Sequence, residues 1–387
     1  MIRWRHAWLV MLVVALFTNV GFLGGGPSLV AAQQGFPNSL CVAPSGTGNC
    51  FASIQAAVDA AEPGAVIYVA AGTYHEAVTI AKSLTLQGAG ADTTTLDAAG
   101  ADNAVHITAD DVRLQGFTVT GARLDGILIN ANRAQIVDNT VMGNATLIIP
   151  PSPGSPPGAP ATTFSNITLQ NASDAVIANN TIGGSRGRGL RVAGSEILRF
   201  PEHGIEVTVV GRSDRNIIVN NHVHDNTGGC GIVLSTDASD NVVLGNTITN
   251  NVAGVIVSAL PPFGLPGTPV ADHLPHSDRN LISNNLVQNN RLGGIGIVPI
   301  SGTTEGNVVA GNTVTDNGPC DECEGASVGI FVVAGRTPAS QAAGNLVGPG
   351  NIVDGQQWGI FVGGTAANTQ VFDNRVTVPP GGIAEKL

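Results

Sequence analysis

The stretch NIIVNNHVHDNTGGCGIVLSTDASDNVVLGNTITNNVAGVIV, residues 216–257, contains the same phrase twice. Each copy has an Asn-rich turn, a short apolar strand, a second turn, and then Gly followed by alternating aliphatic residues. Asn221 and Asn246 mark the first turn and lie 25 residues apart, while Gly231 and Gly254 lie 23 apart. A fixed period of this size is typical of a repeat architecture, in which a unit buries its apolar side only against its neighbours.

The phrase recurs along most of the chain. The further Asn copies are DNTV (138–141), NNTI (179–182), NNLV (284–287), GNTV (311–314), GNIV (350–353) and DNRV (373–376). The further Gly copies are GILI (126–129), GLRV (189–192), GIEV (204–207), GIGIV (294–298), GIFVV (329–333) and GIFV (359–362). Three short strands rich in Val, Ile and Thr, with three turns, describe one coil of a parallel β-helix. The sequence therefore predicts an all-β solenoid.

Equivalent positions in successive coils predict ladders of like residues. Val223, Ile248, Val287 and Val314 are expected to point inward and to stack as an aliphatic ladder. Asn at successive turns can hydrogen-bond its neighbours above and below, and it tolerates left-handed backbone. The heavy use of Asn and Gly thus has a structural explanation that requires no ligand.

Composition divides the chain into four segments. Residues 1–32 are typical of a secretory signal peptide, with Arg3 and Arg5 before an apolar run and a small-residue cleavage site. Residues 33–63 form the predicted N-terminal cap, in which SIQAAVDAAE (53–62) has one apolar helical face and Ser53 as N-cap. Residues 64–378 are the predicted parallel β-helix, and residues 379–387 a C-terminal tail. We expect a secreted or extracytoplasmic protein with no membrane span in the mature chain.

Charge and cysteines narrow the partners and the compartment. The net charge of −11 argues against nucleic acid and permits divalent cations or neutral glycans. No cofactor motif is evident, and calcium is the candidate ion. Five cysteines in an exported chain predict disulfides, with Cys41 paired to Cys50 and Cys320 to Cys323.

The opening of the repeat region resembles a known family. The run CFASIQAAVDAAEPGAVIYVAAGTYHEAVTIAKSLTLQGAG (50–90), followed by Asn- and Gly-phased coils, resembles right-handed parallel β-helix proteins of the pectate-lyase-like superfamily. It is especially similar to the exported bacterial set with repeats found in carbohydrate-binding proteins and sugar hydrolases. The resemblance covers roughly 41–378 and implies a right-handed β-helix. That fold hosts lyases, hydrolases, esterases, epimerases, adhesins and copper-delivery accessory proteins.

The sequence departs from the enzymes of this superfamily. It lacks an Asp-rich triplet beside an outward Arg, as pectate lyases use, and the paired-Asp motifs of polygalacturonases. It also lacks the GVDFIFG-type stretch of pectin methylesterases, and LPHSD (274–278) departs from the Asp-Pro-His-Asp signature of alginate epimerases. The departures leave open whether the chain is an enzyme.

The best candidate for chemistry is a group of ionisable residues within one or two predicted coils. His222 and His224 flank the inward Val223, so both imidazoles should face out, about 7 Å apart. Together with Arg191, Glu206 and Asp225 they are the predicted catalytic set; Glu202 and His203 lie nearby. Such a group suits proton transfer or transition-metal binding, or it is a solvated face of hydrogen-bonded histidines.

Aromatic residues near the C-terminus are the second candidate. Phe331 and Phe361 should point outward one coil apart, with Trp358 close to them. Stacked rings can bind sugars, or they can be covered by an inserted loop or by another subunit. Two Pro-rich loops, 145–163 and 258–278, are expected to leave one side of the solenoid and to border its binding face.

These features, with the resemblance, lead to one functional expectation and two rivals. We expect an exported β-helix protein that binds or processes an extracellular polysaccharide and that is, if an enzyme, a polysaccharide lyase or glycoside hydrolase. The rivals are a non-catalytic surface scaffold or adhesin and a copper-delivery accessory protein.

Overall fold

A computed structural model describes residues 38–149, 162–193, 196–200, 205–209, 211–259, 274–300, 302–319, 325–333, 340–363 and 366–387. The predicted signal peptide, Cys320 and Cys323 lie outside these residues. Nearly all of the described chain is β-structure arranged as three long parallel sheets, called A, B and C in the order in which each coil enters them. The predicted parallel β-helix is confirmed.

The strands of sheet A are Ser39–Val42, Ala65–Val69, Leu84–Gly88, Arg113–Gln115, Gln135–Val137, Val176–Ala178, Ile217–Val219, Val242–Leu244, Leu281–Ser283, Val308–Ala310, Leu346–Val347 and Gln370–Val371. The strands of sheet B are Gly72–His75, Thr94–Asp97, Thr118–Thr120, Thr140–Met142, Thr181–Gly183, His222–His224, Thr247–Thr249, Leu286–Gln288, Thr313–Thr315, Ile352–Asp354 and Arg375–Thr377. The strands of sheet C are Val78–Ile80, Val105–Ile107, Ile127–Ile129, Ser165–Gln170, Arg188–Ala193, Ile232–Ser235, Val255–Ser258, Ile295–Ile297, Val328–Val333, Trp358–Gly363 and Ile383–Lys386.

The core is a set of aliphatic columns inside the three sheets. Val223, Ile248, Val287 and Val314 are all fully buried, as predicted. They stack because the parallel register places Val223 beside Ile248 and Val287 beside Val314 in adjacent coils. Alternation along each strand therefore builds one continuous apolar interior.

An unbroken asparagine ladder lines the A→B corner, where each coil passes from sheet A to sheet B. The buried Asn221 donates from Nδ2 to Oδ1 of Asn246 at 3.0 Å and to the carbonyl of Ile177 at 2.8 Å. Its own Oδ1 accepts from the backbone N–H of Asn180 at 2.9 Å. The ladder comprises Asn139, Asn180, Asn221, Asn246, Asn285, Asn312, Asn351 and Asn374. It confirms the predicted stacking of turn asparagines.

A column of charges follows the C→A corner, where each coil returns to sheet A. The bidentate pairs are Asp111 with Arg133, at 2.7 and 2.8 Å, Asp174 with Arg215, at 2.7 Å, and Asp240 with Arg279, at 2.8 Å. Each of these residues has left-handed backbone, with φ between 56° and 62°. The matching SDRN sequences at 213–216 and 277–280 are thus turn elements.

The N-terminal cap is a short helix clamped at both ends. The predicted helix is observed as Ile54–Ala60 after a 3-10 turn, Pro44–Asn49, and Ser53 is its N-cap. The Glu76 carboxylate accepts from the N–H groups of Ile54 (2.7 Å) and Gln55 (2.9 Å), while Lys82 Nζ donates to two carbonyls at the opposite end. These charges complement the helix dipole. The predicted Cys41–Cys50 disulfide is also present.

Two segments differ from the sequence-based interpretation. The GIEV copy at 204–207 is not a coil of the solenoid, because Glu196–Phe200 and Ile205–Val209 pair antiparallel as a separate hairpin. The residues assigned to a C-terminal tail include Ile383–Lys386, which pairs with Trp358–Gly363 as the last strand of sheet C. The remaining short pairs are Ile148–Ile149 with Thr162–Thr163, and Gly302–Thr303 with Ser340–Gln341.

Candidate functional site

The long connections of the solenoid leave from the two corners that flank sheet C. Residues 43–64, the N-terminal cap, join the first two strands of sheet A. The other connections of ten or more residues are 143–164 and 316–327 on the B→C side, and 194–216, 259–280, 298–307 and 334–345 on the C→A side. The A→B connections, which all fall within the described residues, are two to five residues long. The two predicted Pro-rich loops coincide with two of these insertions. Sheet C is therefore the face bordered by additions to the basic coil.

The outer face of sheet C carries one side chain per coil between the inward residues. Arg191 occupies this column, beside Thr168 in the preceding coil and Val233 in the following one. It lies between the insertion 143–164 and the insertion 194–216 along the chain. The full column is Thr79, His106, Leu128, Thr168, Arg191, Val233, Ile256, Gly296, Phe331, Phe361 and Lys386.

Sequence reasoning missed the polar residues near the start of this column. His106 Nε2 lies 2.8 Å from Asn130 Oδ1, and the Asn130 amide donates to the carbonyl of Gln170 at 3.1 Å. Two coils after His106, the Thr168 hydroxyl donates to the buried Asp125 carboxylate at 2.6 Å. The signal was present in AVHI (104–107), which alternates as the later coils do but lacks the Gly mark used to place the column.

His222, His224 and Asp225 do come together, on the outer face of sheet B and at its C-terminal edge. The two imidazole rings are stacked, with centroids 4.4 Å apart and planes inclined by 27°. His224 Nδ1 lies 2.8 Å from Asp225 Oδ2. Because an ionised carboxylate only accepts, His224 carries its proton on Nδ1 and leaves the Nε2 lone pair free in the neutral ring.

A glycine in the preceding coil makes room for the His224 ring. Gly183 is the register partner of His224, and a Cβ built on Gly183 would lie 3.0 Å from His224 Cε1. The His224 side chain is 17% exposed, whereas His222 is exposed. His224 is thus held between the glycine and the aspartate, and His222 covers it from the solvent side.

The local charges set the protonation of this group. Partial burial, followed by the neighbouring His224, lowers the pKa of His222 below its ordinary value of 6.5. The hydrogen bond from His224 is the main cause that lowers the pKa of Asp225. A neutral His222 beside an ionised Asp225 follows near pH 7.

The other members of the predicted catalytic set lie elsewhere. Arg191 is on the outer face of sheet C, not on sheet B with the histidines. Glu206 pairs with Arg199 in the antiparallel hairpin. Glu202 and His203 lie outside the described residues. Sequence spacing grouped these residues because GIEV was counted as a coil, which shifted Glu206 into a column that it does not join.

The predicted aromatic platform is a covered cluster. Phe331 and Phe361 are register partners on sheet C, as expected, but they are only 3% and 8% exposed. Trp358, 9% exposed, lies 5.0 Å from Phe361 between ring centroids, and Lys386 Nζ sits 3.9 Å above the Trp358 ring. The cluster also contacts Ile256 and Val298. The faces of these rings contact protein in this structure. Sugar binding by them stays a prediction.

The C→A corner holds a further polar group. In the LPHSD segment, His276 Nδ1 lies 2.7 Å from the Thr303 hydroxyl, which also donates to the Asp278 carboxylate at 3.1 Å. These contacts join neighbouring coils and border a shallow depression. The depression is lined by Asp278, Arg279, Glu305, Gly306, Ala343, Gly344 and Asn368. His273, the other histidine of this loop, lies outside the described residues.

The described residues contain no group of three or more His, Cys, Asp or Glu side chains arranged to hold a metal ion. No helix among them is long and apolar enough to cross a bilayer.

Comparisons with known proteins agree with the architecture. The profile of the family described as right handed beta helix region matches residues 87–261 and 204–347, more than half of the chain. The A-module of Azotobacter vinelandii mannuronan C-5 epimerase AlgE4 superposes with a TM-score of 0.56 and 15% identity, covering 86% of this chain and 91% of that one. The Dettilon tailspike protein also gives 0.56, with 18% identity, 98% of this chain and 73% of its own covered. No curated protein matches the sequence.

Proposed function

We propose that this chain, which belongs to the right-handed β-helix family, binds an extracellular polysaccharide along the outer face of sheet C. The observation that carries the proposal is that, beyond the N-terminal cap, every connection of ten or more residues lies at one of the two corners flanking that sheet. Insertions into a solenoid commonly surround its binding face. Sheets A and B meet at the A→B corner through short turns and have no such border there.

The face suits an extended polymer better than a compact ligand. Coils about 4.8 Å apart repeat the same backbone and side-chain positions along the axis. A linear glycan parallel to that axis meets repeated positions where the face is accessible, whereas Thr168, Val233, Phe331 and Phe361 of the same column are buried. Arg191 is a half-buried member of the column, and its planar guanidinium is of the kind that pairs with carboxylates.

An acidic glycan is the first ligand to test. The related epimerase module is named for mannuronan, a polymer whose units carry carboxylates. The net charge of −11 opposes non-specific attraction of such a polymer, so binding would depend on local groups such as Arg191. Calcium, which bridges carboxylates through oxygen ligands, belongs in the assay as a possible cofactor.

The proposed function places the mature protein outside the cytoplasm. Residues 1–32 have the composition of an export signal, and the Cys41–Cys50 disulfide is compatible with an oxidising compartment. A polysaccharide outside the cell is then within reach of the mature protein.

Lyase or hydrolase activity is the finer part of the proposal. Of the predicted catalytic set, Arg191 lies on sheet C, while His224 with Asp225 presents a basic Nε2 on sheet B. A scaffold or adhesin would bind without releasing product.

The test combines binding and turnover on one panel. Mannuronan, pectins and neutral glycans are titrated against the purified chain with and without calcium, and both reducing ends and unsaturated products are followed. Arg191→Ala is compared with Arg113→Ala, which removes the same charge from the outer face of sheet A, where Arg113 bonds Gln115 and Gln135.

We expect binding of at least one acidic glycan to weaken at least tenfold in Arg191→Ala and to be unchanged in Arg113→Ala. Equal effects of both variants would place binding away from sheet C. Product release lost in His224→Ala but retained in Arg191→Ala would move the catalytic site to sheet B. Silence of the whole panel favours the scaffold.

A further inference from the structure

We infer that His222 and His224 form a binding site for a divalent transition metal on the outer face of sheet B. The two imidazoles leave one strand at positions i and i+2, project to the same side, and approach to 4.4 Å between ring centroids. The inference is independent of polysaccharide binding on sheet C.

The pair is specific to one coil. The register column through His222 holds Thr118, Thr140, Thr181, Thr247, Leu286 and Thr313 in the neighbouring coils. Threonine, the commonest residue of this column, is sufficient where the outer wall only has to pack and stay soluble. Two adjacent imidazoles at one level depart from this column, and imidazole is the commonest metal-ligating side chain.

His224 is already arranged as a ligand. Its Nδ1–H donates to Asp225 at 2.8 Å, which fixes the tautomer and leaves Nε2 as the coordinating atom. Gly183 provides the niche in which the ring lies, so its orientation is determined by packing as well as by the hydrogen bond. Carboxylate–histidine pairs of this kind raise the basicity of the ligating nitrogen and orient it.

His222 supplies the second nitrogen. The ring planes are inclined by 27°, so a single ion cannot lie in both planes as they stand. His222 is exposed and can rotate about its side-chain torsions, whereas His224 is held. A rotation of His222 brings both ring nitrogens to one ion at the usual distance of about 2.0–2.1 Å.

Two imidazoles determine the class of metal and leave coordination positions open. Zn²⁺, Cu²⁺ and Ni²⁺ favour imidazole nitrogen, while Ca²⁺ and Mg²⁺ favour oxygen. The described residues place no third His, Cys, Asp or Glu in the set, so water or an external ligand completes the coordination. The adjacent Thr247 and Thr249 are polar neighbours that can hydrogen-bond such a water.

The experiment is a calorimetric titration of the full chain with ZnCl₂ in a non-coordinating buffer, with CaCl₂ as the comparison ion. We expect one Zn²⁺ per chain and no saturable Ca²⁺ binding at this site. His222→Ala and His224→Ala should each weaken Zn²⁺ binding at least tenfold, and Asp225→Asn should weaken it by about 10–100-fold. Paramagnetic resonance of bound Cu²⁺ should show coupling to two nitrogens, reduced to one in either alanine variant.

Matched controls separate the site from histidines elsewhere. His106→Ala removes another imidazole from the outer wall, one that is bonded to Asn130, and should leave Zn²⁺ binding unchanged. A triple replacement of His6, His203 and His273, which lie outside the described residues, should also leave it unchanged. Unaltered melting temperatures without metal confirm that the variants fold. Absence of saturable Zn²⁺ binding overturns the inference, and so does binding in His222→Ala or His224→Ala that is as strong as in the parent chain.

Discussion

The A→B and C→A corners use the same backbone device and both bury an asparagine ladder, but only the C→A corner adds exposed ion pairs. Both turn through a residue with left-handed backbone, such as Asn220 (φ 55°) in the first and Arg215 (φ 59°) in the second. At both corners the next residue is a buried asparagine that bonds the neighbouring coil, Asn221 to Asn246 and Asn216 to Asn241. At the C→A corner the left-handed residues also pair, at the surface, as Asp and Arg.

The length of the turn explains where the solenoid accepts additions. The A→B turns along the ladder mostly contain only the left-handed residue and the ladder asparagine, so extra residues there would orphan amide groups that water cannot reach. The C→A insertions enter ahead of the ladder asparagine, which stays the last residue of the connection, as Asn216 and Asn280 do. The A→B corner is therefore uniform, while the corners beside sheet C vary and border the candidate binding face.

The largest expected effect comes from inserting the same eight-residue Gly/Ser segment at both corners of one coil. Between Asn220 and Asn221 it should lower the free energy of unfolding by more than about 3 kcal/mol, because it breaks a buried ladder. Between Thr236 and Asp237, where the neighbouring coils already carry insertions, the loss should be under about 1 kcal/mol from loop closure. Urea titrations of the two insertion variants measure the contrast, and equal losses would contradict it.

A single ladder residue gives the next largest effect. Asn221→Leu leaves the Asn180 N–H and the Ile177 carbonyl without this partner. It also removes one of two donors to Asn246 Oδ1, which keeps the backbone N–H of residue 221. We expect a loss of about 3–4 kcal/mol in unfolding free energy, since each buried orphan costs about 1–3 kcal/mol.

The matched control is the neighbouring turn residue. Asn220→Gly keeps the left-handed turn, and Gly245 already occupies the same turn position in the following coil. Its unfolding free energy should stay within about 1 kcal/mol of the parent value. A larger loss in Asn220→Gly than in Asn221→Leu would show that turn geometry, not the ladder, dominates.

Alkaline pH tests burial beside the first A→B corner, where Tyr74, an inward residue of the first sheet B strand, bonds back to the corner. The Tyr74 hydroxyl donates to the Ala70 carbonyl at 2.9 Å, and burial, aided by Glu76, raises the pKa of Tyr74 to about 12. A folded pKa above the unfolded value of 10.0 gives stability that is complete below pH 10 and lost as pH rises towards 12.

We expect unfolding free energy to fall by about 1.4 kcal/mol between pH 9 and 11 through this group. Tyr74→Phe should remove that slope, and Tyr68→Phe, on the half-buried outer face of sheet A, serves as the control. The measurement is a series of urea titrations across the pH range. A slope that persists in Tyr74→Phe would assign it to other groups.

The smallest effect belongs to the exposed charge column. Arg215→Ala removes two hydrogen bonds of 2.7 Å to Asp174, yet both side chains are about half exposed. We expect a loss below about 1 kcal/mol, reduced further in 1 M NaCl. Thermal melts at low and high salt measure it, and a loss as large as that of Asn221→Leu would erase the distinction between the corners.

The repeat architecture follows from sequence because it depends on local patterns. Alternation placed Val223 and Ile248 inside, and the Asn phrase placed Asn221 and Asn246 in one ladder. The helix with Ser53 at its start, and the disulfide near it, follow from equally short patterns. Each of these features is decided within one coil or between adjacent coils.

The candidate site is predicted only where it too is local. His222, His224 and Asp225 meet because they are consecutive on one strand and turn. Arg191 takes its predicted place in the outward column after the Gly mark, but that column lies on sheet C and not beside the histidines. Glu206 could not be placed from spacing, because a hairpin inserted after sheet C has the same Gly-aliphatic phrase as a coil. Antiparallel pairing within the insertion, not the local residue pattern, decides that GIEV leaves the solenoid.

The aromatic cluster shows a second limit. The outward direction of Phe331 and Phe361 follows from alternation, but their burial depends on which residues from other strands pack against them. Lys386 reaches Trp358 from the last strand, a segment whose sequence looked like a tail. Coverage of a surface is a long-range property that a strand's own sequence does not encode.

The number of stacked coils sets the length of the outer face of sheet C. Sheet C has eleven strands, so its outer face extends over ten steps of about 4.8 Å, about 48 Å in all. Because each coil contacts only the next, gene duplication of one unit can lengthen the face by a single step without redesigning the rest. The number of coils thus sets how much of a long polymer could be read at once, and evolution can adjust it one unit at a time.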